Sequence, residues 1–223
     1  DLGLPIGPPH SCPYLPGRMA RERAFISDRL PPGLYSRLMD YGWRRSGRIL
    51  YRPGCDGCRA CIPLRIPALH FQPSRTQRKI ANRNSDIVWR LELAEPTDEK
   101  FDLFVRYQQA RHSGDMCTER DDFEFSLYDS PVRTREFTGR LDGRLVVSAI
   151  VDLEPESLSS VYTFFDPDLG KRSLGVCAIL SLLSFCRTAP IPYYYMGYYI
   201  GACDKMNYKT AYRPFELGDS EGG

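Results

Sequence analysis

The stretch LGKRSLGVCAILSLLSFCRTAPIPYYYMGYYI constrains the fold of this chain more than any other. From about Ser173 it reads as an apolar helix, well short of the ~20 residues a membrane span needs. Tyrosine-rich PYYYMGYYI follows as a strand, and LSSVYTFFDP reads as a strand before it, ending at Asp166-Pro167. A helix joining two strands of one sheet makes those strands parallel neighbours. The loop DLGKRSLG then lies between a strand end and a helix N-terminus, where backbone N–H groups attract anions.

The segments before this unit are consistent with an α+β chain. Thr97, Asp98 and Glu99 open a helix with Phe101, Phe104 and Val105 on its apolar face. Residues 114–134 are polar and mixed, a helix with loops. REFTGRLDGRLVVSAIVDL reads as a hairpin turning at Asp142-Gly143. The order helix, hairpin, strand, loop, helix, strand resembles the GNAT acyltransferase fold. In that fold the loop at the helix start holds a pyrophosphate, and here Lys171, Arg172, Ser173 and Gly175 occupy it. Two regions are expected, 1–90 and a GNAT-like 91–223, with the first packed on the second.

The first region differs in charge. Residues 1–90 carry sixteen Lys and Arg against six Asp and Glu, a balance of +10, whereas the whole chain stands at +2. The excess is almost all arginine, the better residue for forked contacts to phosphate. In FQPSRTQRKIANRN, Ser74 and Gln77 have capping-box spacing. Arg75, Arg78, Lys79 and Arg83 then recur along one helix face. Such a stripe suits a nucleic-acid backbone, and equally a solvated face. Leu34, Leu38 and Tyr41 have helical spacing before Gly42, RILYR reads as a short strand, and Ile62, Leu64 and Ile66 alternate as in a strand. Ile87, Trp89, Leu91 and Leu93 share one face of a further strand.

YRPGCDGCRAC places Cys55, Cys58 and Cys61 at two successive C-x-x-C steps. That spacing serves a metal, a redox pair or a thiol core alike. A second C-x-x-C pair 15–20 residues on, as in a zinc ribbon, is absent. The lead-in DLGLPIGPPHSCPYLPGR has no apolar stretch of a secretory signal, so reduced thiols and a cytoplasmic location are expected.

CPYLPGR, GWRRSG, YRPGCDGCRAC, FQPSRTQRKIANRN, YTFFDPD with RSLG, and YYYMGYYI with KMNYK come in an order that resembles the bacterial aspartate/glutamate leucyltransferases. These are relatives of the eukaryotic arginyl-tRNA–protein transferases. The resemblance runs from about Cys12 to Glu216. It implies transfer of an aminoacyl group from tRNA to the N-terminal residue of a protein. In the bacterial branch it implies leucine and acceptors that begin with Asp or Glu, marked thereby for degradation. No cofactor is implied for the transfer itself. Cys12 falls in the first matching block, so Cys12, Cys55, Cys58 and Cys61 form the candidate set for zinc or an iron–sulfur cluster. The eukaryotic cysteine cluster is spaced differently.

The implied reaction is aminolysis of an ester by an α-amine, which needs positioning, a polarised carbonyl and a place for one proton. Asp166, at a strand end, is a candidate proton acceptor, though FDPD equally reads as a turn. Tyr198 and Tyr208 are further candidates; His112 stands alone. Tyr162 and Tyr194 offer stacking or hydrogen bonds to the tRNA 3′ end. Arg44 and Arg45, or Lys205, Lys209 and Arg213, offer a cation for the acceptor carboxylate. Three other readings stay open: arginine as donor, a CoA-dependent acetyltransferase, and a metal-stabilised nucleic-acid-binding module.

Overall fold

The computed structural model describes residues 4–111 and 118–218; His112 and Cys117 lie outside them. The chain opens with the strand pair β1 (His10–Ser11) and β2 (Met19–Ala20). Then come β3 (Glu22–Ile26), helix α1 (Leu34–Asp40), β4 (Arg44–Ser46) and β5 (Ile49–Pro53), whose strands form a three-stranded sheet in the order β3-β5-β4. Gly42, at φ 81°, turns the chain out of α1 where a side chain would be strained. This module packs Tyr35, Met39, Trp43 and Leu50 against Tyr195 of the larger sheet, with the Trp43 ring edge-on to Phe25 at 5.2 Å.

The rest builds one seven-stranded sheet. Its elements are β6 (Ile62–Pro67), α2 (Arg75–Arg83), β7 (Val88–Leu93), α3 (Asp98–Arg111), α4 (Arg120–Phe123), β8 (Thr134–Leu141), β9 (Arg144–Leu153) and β10 (Ser157–Phe165). They continue with α5 (Leu174–Thr188), β11 (Tyr193–Tyr199), α6 (Asp204–Asn207) and β12 (Glu216–Leu217). The strand order is β12-β6-β11-β10-β9-β8-β7. Only β10 and β11 run parallel among the described pairs, as the helix between them requires. Asp142 and Gly143, at φ 49° and 82°, turn the β8–β9 hairpin.

Successive residues of β11 point to opposite faces, so Tyr194 and Met196 join the α5 core while Tyr195 joins the module. On the α5 side Leu180, Leu182, Leu183 and Cys186 meet Leu64, Ile66, Val151 and Leu158. On the other side Leu103 and Phe104 of α3 meet Phe123, Ile150 and Phe164. Two buried ion pairs fasten these layers. Arg45 of β4 forks onto Asp152 of β9 at 2.7 and 2.8 Å, and Lys100 of α3 donates to Glu136 of β8. Burial pushes the Glu136 carboxyl above its ordinary range, with Lys100 and Ser148 opposing.

Two expectations need correction. The division at residue 90 cuts through β7, and β6 from the first region pairs with β11 and β12, so the sheet does not part there. Leu91 and Leu93 are exposed because β7 is a sheet edge; Trp89, stacked on Phe137 at 5.1 Å, is the apolar residue of that strand that packs. The described part of 114–134 holds a short helix with loops, as expected: the single turn α4 runs directly into a wider helical turn at 124–128.

Candidate active site

The parallel pair β10–β11 is hydrogen-bonded only over Ser157–Ser159 and Tyr193–Tyr195. Beyond it the strands part. A bulge falls at Ser160/Tyr162 against β9, and another at Tyr195/Tyr198 against β6. Gly197, at φ 81°, sits in the second, a backbone shape that side-chain-bearing residues avoid. The result is a gap at the C-terminal ends of two parallel strands, where α/β sheets bind ligands.

One wall of the gap is aromatic. Tyr107 of α3 lies edge-on to Phe165 at 4.9 Å and to Tyr162 at 6.5 Å, and Tyr162 donates to Gln108 Oε1 at 3.3 Å. Tyr208 is half exposed, and Arg111 lies 5.6 Å above the Phe165 ring. These faces suit a base or ribose. Tyr162, expected at the tRNA 3′ end, and Tyr208, expected as a proton handler, both lie at this wall. Tyr107 was missed: on α3 it reads as one more apolar-face residue beside Leu103 and Phe104. Tyr194 is wholly buried in the α5-side core and does not reach this wall.

The other wall is β11, held by two cations. Arg44 donates to Gly197 O at 3.2 Å and lies over the Tyr195 and Tyr198 rings; Lys209 donates to Tyr198 O at 2.6 Å. Burial, with Arg44 nearby, pushes the Lys209 ammonium down to about 8. Arg45 turns the other way and is spent on Asp152. Lys205 and Arg213 are exposed on the surface.

Two of the three proposed proton handlers, Tyr198 and Asp166, are otherwise engaged. Tyr198 donates its hydroxyl to Gly42 O at 2.6 Å, and burial pushes its pKa well above the ordinary value. Asp166 is fully buried, paired to Arg106 and Arg144 at 2.7 Å each, and accepts from Asp168 N at 3.0 Å. It braces the turn after β10, as the FDPD reading allowed. The loop that follows is also clamped. Arg172 forks onto Asp86 at 2.8 and 2.9 Å, Asn84 donates to Arg172 O, and Arg83 donates to Lys171 O. Ser173 sits in the left-handed region, and a side chain at Gly175 would meet the Phe165 ring at 3.0 Å. Of that loop, Lys171 keeps an exposed charge. Arg75, Arg78 and Lys79 are exposed along α2, whose Ser74–Gln77 capping box forms as expected. The stripe runs toward the loop at the end of β10, since Arg83 at its far end is the residue that meets Lys171.

Cys12, Cys55, Cys58 and Cys61 line one cavity of about 370 Å³, together with Tyr14, Tyr51, Ile49 and Tyr198. Burial, then Cys55, Cys12 and Cys58, pushes the Cys61 thiol up to about 12. Yet among the described residues no three such side chains gather tightly enough to hold a single ion.

The class of protein follows from this geometry: a mixed sheet opened between two parallel strands, with a crossover helix behind, is GNAT-like. The solved structure of FemX has this fold, with a TM-score of 0.55 at 10% identity, over 88% of this chain and 69% of that one. Two family profiles then match in sequence, the N terminus of arginine-tRNA-protein transferase at residues 10–79 and its C terminus at 99–219. Curated relatives named aspartate/glutamate leucyltransferase are 47% identical in Pseudomonas fluorescens and 43% in Hahella chejuensis. Each match covers 94% of this chain, and 90% and 91% of the relative. The chain belongs to the arginine-tRNA-protein transferase family.

Proposed function

We propose that this chain moves leucine from leucyl-tRNA to the α-amine of proteins that begin with Asp or Glu, marking them for the degradation machinery. The observation that carries the reading is the opened β10–β11 gap, aromatic on one side and cationic on the other, in a chain whose curated relatives carry that name. The exposed charges of α2 and Lys171 take phosphates of the acceptor arm. Tyr107, Tyr162 and Tyr208 take the 3′-terminal nucleoside. In the gap, the acceptor nitrogen forms a bond to the ester carbon, the bond from that carbon to the ribose oxygen breaks, and the amine's proton ends on the leaving oxygen. Orientation supplies much of the acceleration, about 7–11 kcal/mol for a well-aligned pair. A CoA-dependent acetyltransferase is the less favoured reading, since Arg172 is already committed to Asp86 in the loop where a pyrophosphate would sit.

The test offers leucyl-, phenylalanyl- and arginyl-tRNA, and acetyl-CoA, with peptides that begin with Asp, Glu, Lys or Arg. Leucine is expected on the Asp and Glu peptides alone. Acetyl transfer, or leucine only on Lys and Arg peptides, would overturn the reading.

Cys12, Cys55, Cys58 and Cys61 line one cavity, and an iron–sulfur cluster is the group we propose for such an all-cysteine set. Cys12, Cys55, Cys58 and Cys61 would hold it as thiolates, and it would brace β2 and the loop after β5 beside Tyr198. Anaerobically purified protein is expected to carry iron and sulfide with visible absorption that is lost in Cys58→Ala. Zinc alone, or no metal, would remove the cluster from the reading.

A further inference from the structure

Four basic side chains are buried in the described structure: Arg44, Arg45, Lys100 and Lys209. Two have buried carboxylate partners, Arg45 with Asp152 and Lys100 with Glu136. The other two have none. Among the described residues Arg44 donates only to the carbonyls of Met39, Trp43 and Gly197, and its Nε is buried without a partner. Lys209 donates to Tyr198 O, with the Met206 sulfur at 3.7 Å, so among the described residues one of its three N–H bonds has no partner. These two exceptions act on adjacent carbonyls, Gly197 and Tyr198, beside the gap. Two buried, unneutralised cations side by side are costly, and such pairs cluster where an anion arrives from outside.

There is also a way in. A Cβ at Gly197 would have one heavy atom within 4 Å, the Lys209 Nζ at 3.6 Å. Gly197 itself is only partly buried, so there is room for a small group beside it, and the Lys209 ammonium borders that room. We propose that Arg44 and Lys209 together receive the side-chain carboxylate of the acceptor's first residue, and so set the acidic specificity of the transfer. This rests on the aminoacyl-transfer reading above. The carboxylate would take the spare N–H of Lys209 and reach toward Arg44, while the acceptor's α-amine lies in the gap. An acceptor with an amide in place of the acid would leave both cations unneutralised.

The test compares peptides that begin with Asp, Glu, Asn or Gln, at fixed leucyl-tRNA, in the unaltered protein, Lys209→Gln and Lys209→Arg. The unaltered protein is expected to prefer acid over amide. Lys209→Gln is expected to reduce that preference about ten- to hundredfold, through the acceptor KM, with the KM for leucyl-tRNA unchanged. Lys209→Arg is expected to restore part of it. Equal loss on acid and amide peptides would overturn the assignment, because a group serving the reacting carbonyl or the fold makes no such distinction. Should Lys209→Gln not fold, lysine-selective NMR of the unaltered protein decides. Asp-initiated peptide is expected to shift the Lys209 resonances and its Asn counterpart to leave them; no shift with either overturns the proposal. Failure to transfer leucine to any peptide would sink the broader reading instead.

Discussion

At the scale of single residues, position within a strand decides what an arginine does. Arg44 and Arg45 are neighbours in GWRRSG, yet one lies beneath Tyr195 and Tyr198 and the other is locked onto Asp152. Their identical chemistry hid the difference from sequence reading, because strand alternation separates them only once β4 is placed. Lys209 has a measurable cost. Its ammonium titrates at about 8 in the folded protein instead of near 10.5. Below pH 8 both folded and unfolded chains hold the proton, and the burial penalty stands in full, about 3 kcal/mol. Between pH 8 and 10.5 the unfolded chain holds more protons, so this group makes stability rise with pH. Lys209→Met forgoes the penalty and the charge-assisted hydrogen bond to Tyr198, the latter about 1.5–3 kcal/mol. Denaturant titration at pH 7 is expected to find it no less stable, and flat in pH across that window. Transfer to Asp peptides is expected to fall. A variant both less active and less stable would mean that Lys209 serves the fold alone.

At the scale of elements, α2 is a charged rail ending at the loop after β10. Its capping box sets where it begins and the contact between Arg83 and Lys171 where it ends. Arg75→Ala/Arg78→Ala/Lys79→Ala is expected to raise the KM for leucyl-tRNA and lower the slope of log KM against log salt by about 2–3. The kcat is expected to hold. An unchanged slope would return the stripe to a solvated face. The unit from β10 through α5 to β11 was legible beforehand because its signals are local: an apolar helix between two β-rich tracts, an Asp-Pro stop, an Asp-Gly turn nearby. The β10–β11 gap itself was not. It depends on bulges at Ser160/Tyr162 and Tyr195/Tyr198; Gly197, interrupting the tyrosines of β11, is a local sign of the second, but nothing in SSVYT marks the first. β12 was equally hidden, since two residues in a polar tail show no periodicity, yet Glu216 pairs with Arg65 and closes the sheet edge.

At the scale of the whole molecule, the charge asymmetry of the sequence does not mark two independent halves. The arginine-rich module is fastened to the acidic sheet through Arg45–Asp152, fully buried on both sides, and through the seating of Tyr195 among Tyr35, Met39 and Trp43. Removing one member of a buried pair strands the other, at a cost of about 3–5 kcal/mol. Asp152→Asn is therefore expected to lower the stability of the module by that amount, read as a shift in denaturant midpoint. A change below 1 kcal/mol would place the joint elsewhere.

The chain has two tryptophans, and the fold has set them far apart in role: Trp43 against Phe25 in the module, Trp89 against Phe137 at the opposite edge of the sheet. The protein thus carries a built-in pair of optical probes. With Trp89→Phe the ultraviolet emission reports the module, and with Trp43→Phe it reports the sheet. Superimposed melting curves are the mark of a single cooperative unit. With Asp152 in place the two curves should coincide. In Asp152→Asn the Trp43 signal should change first, showing the module loosening from a sheet that still holds its shape.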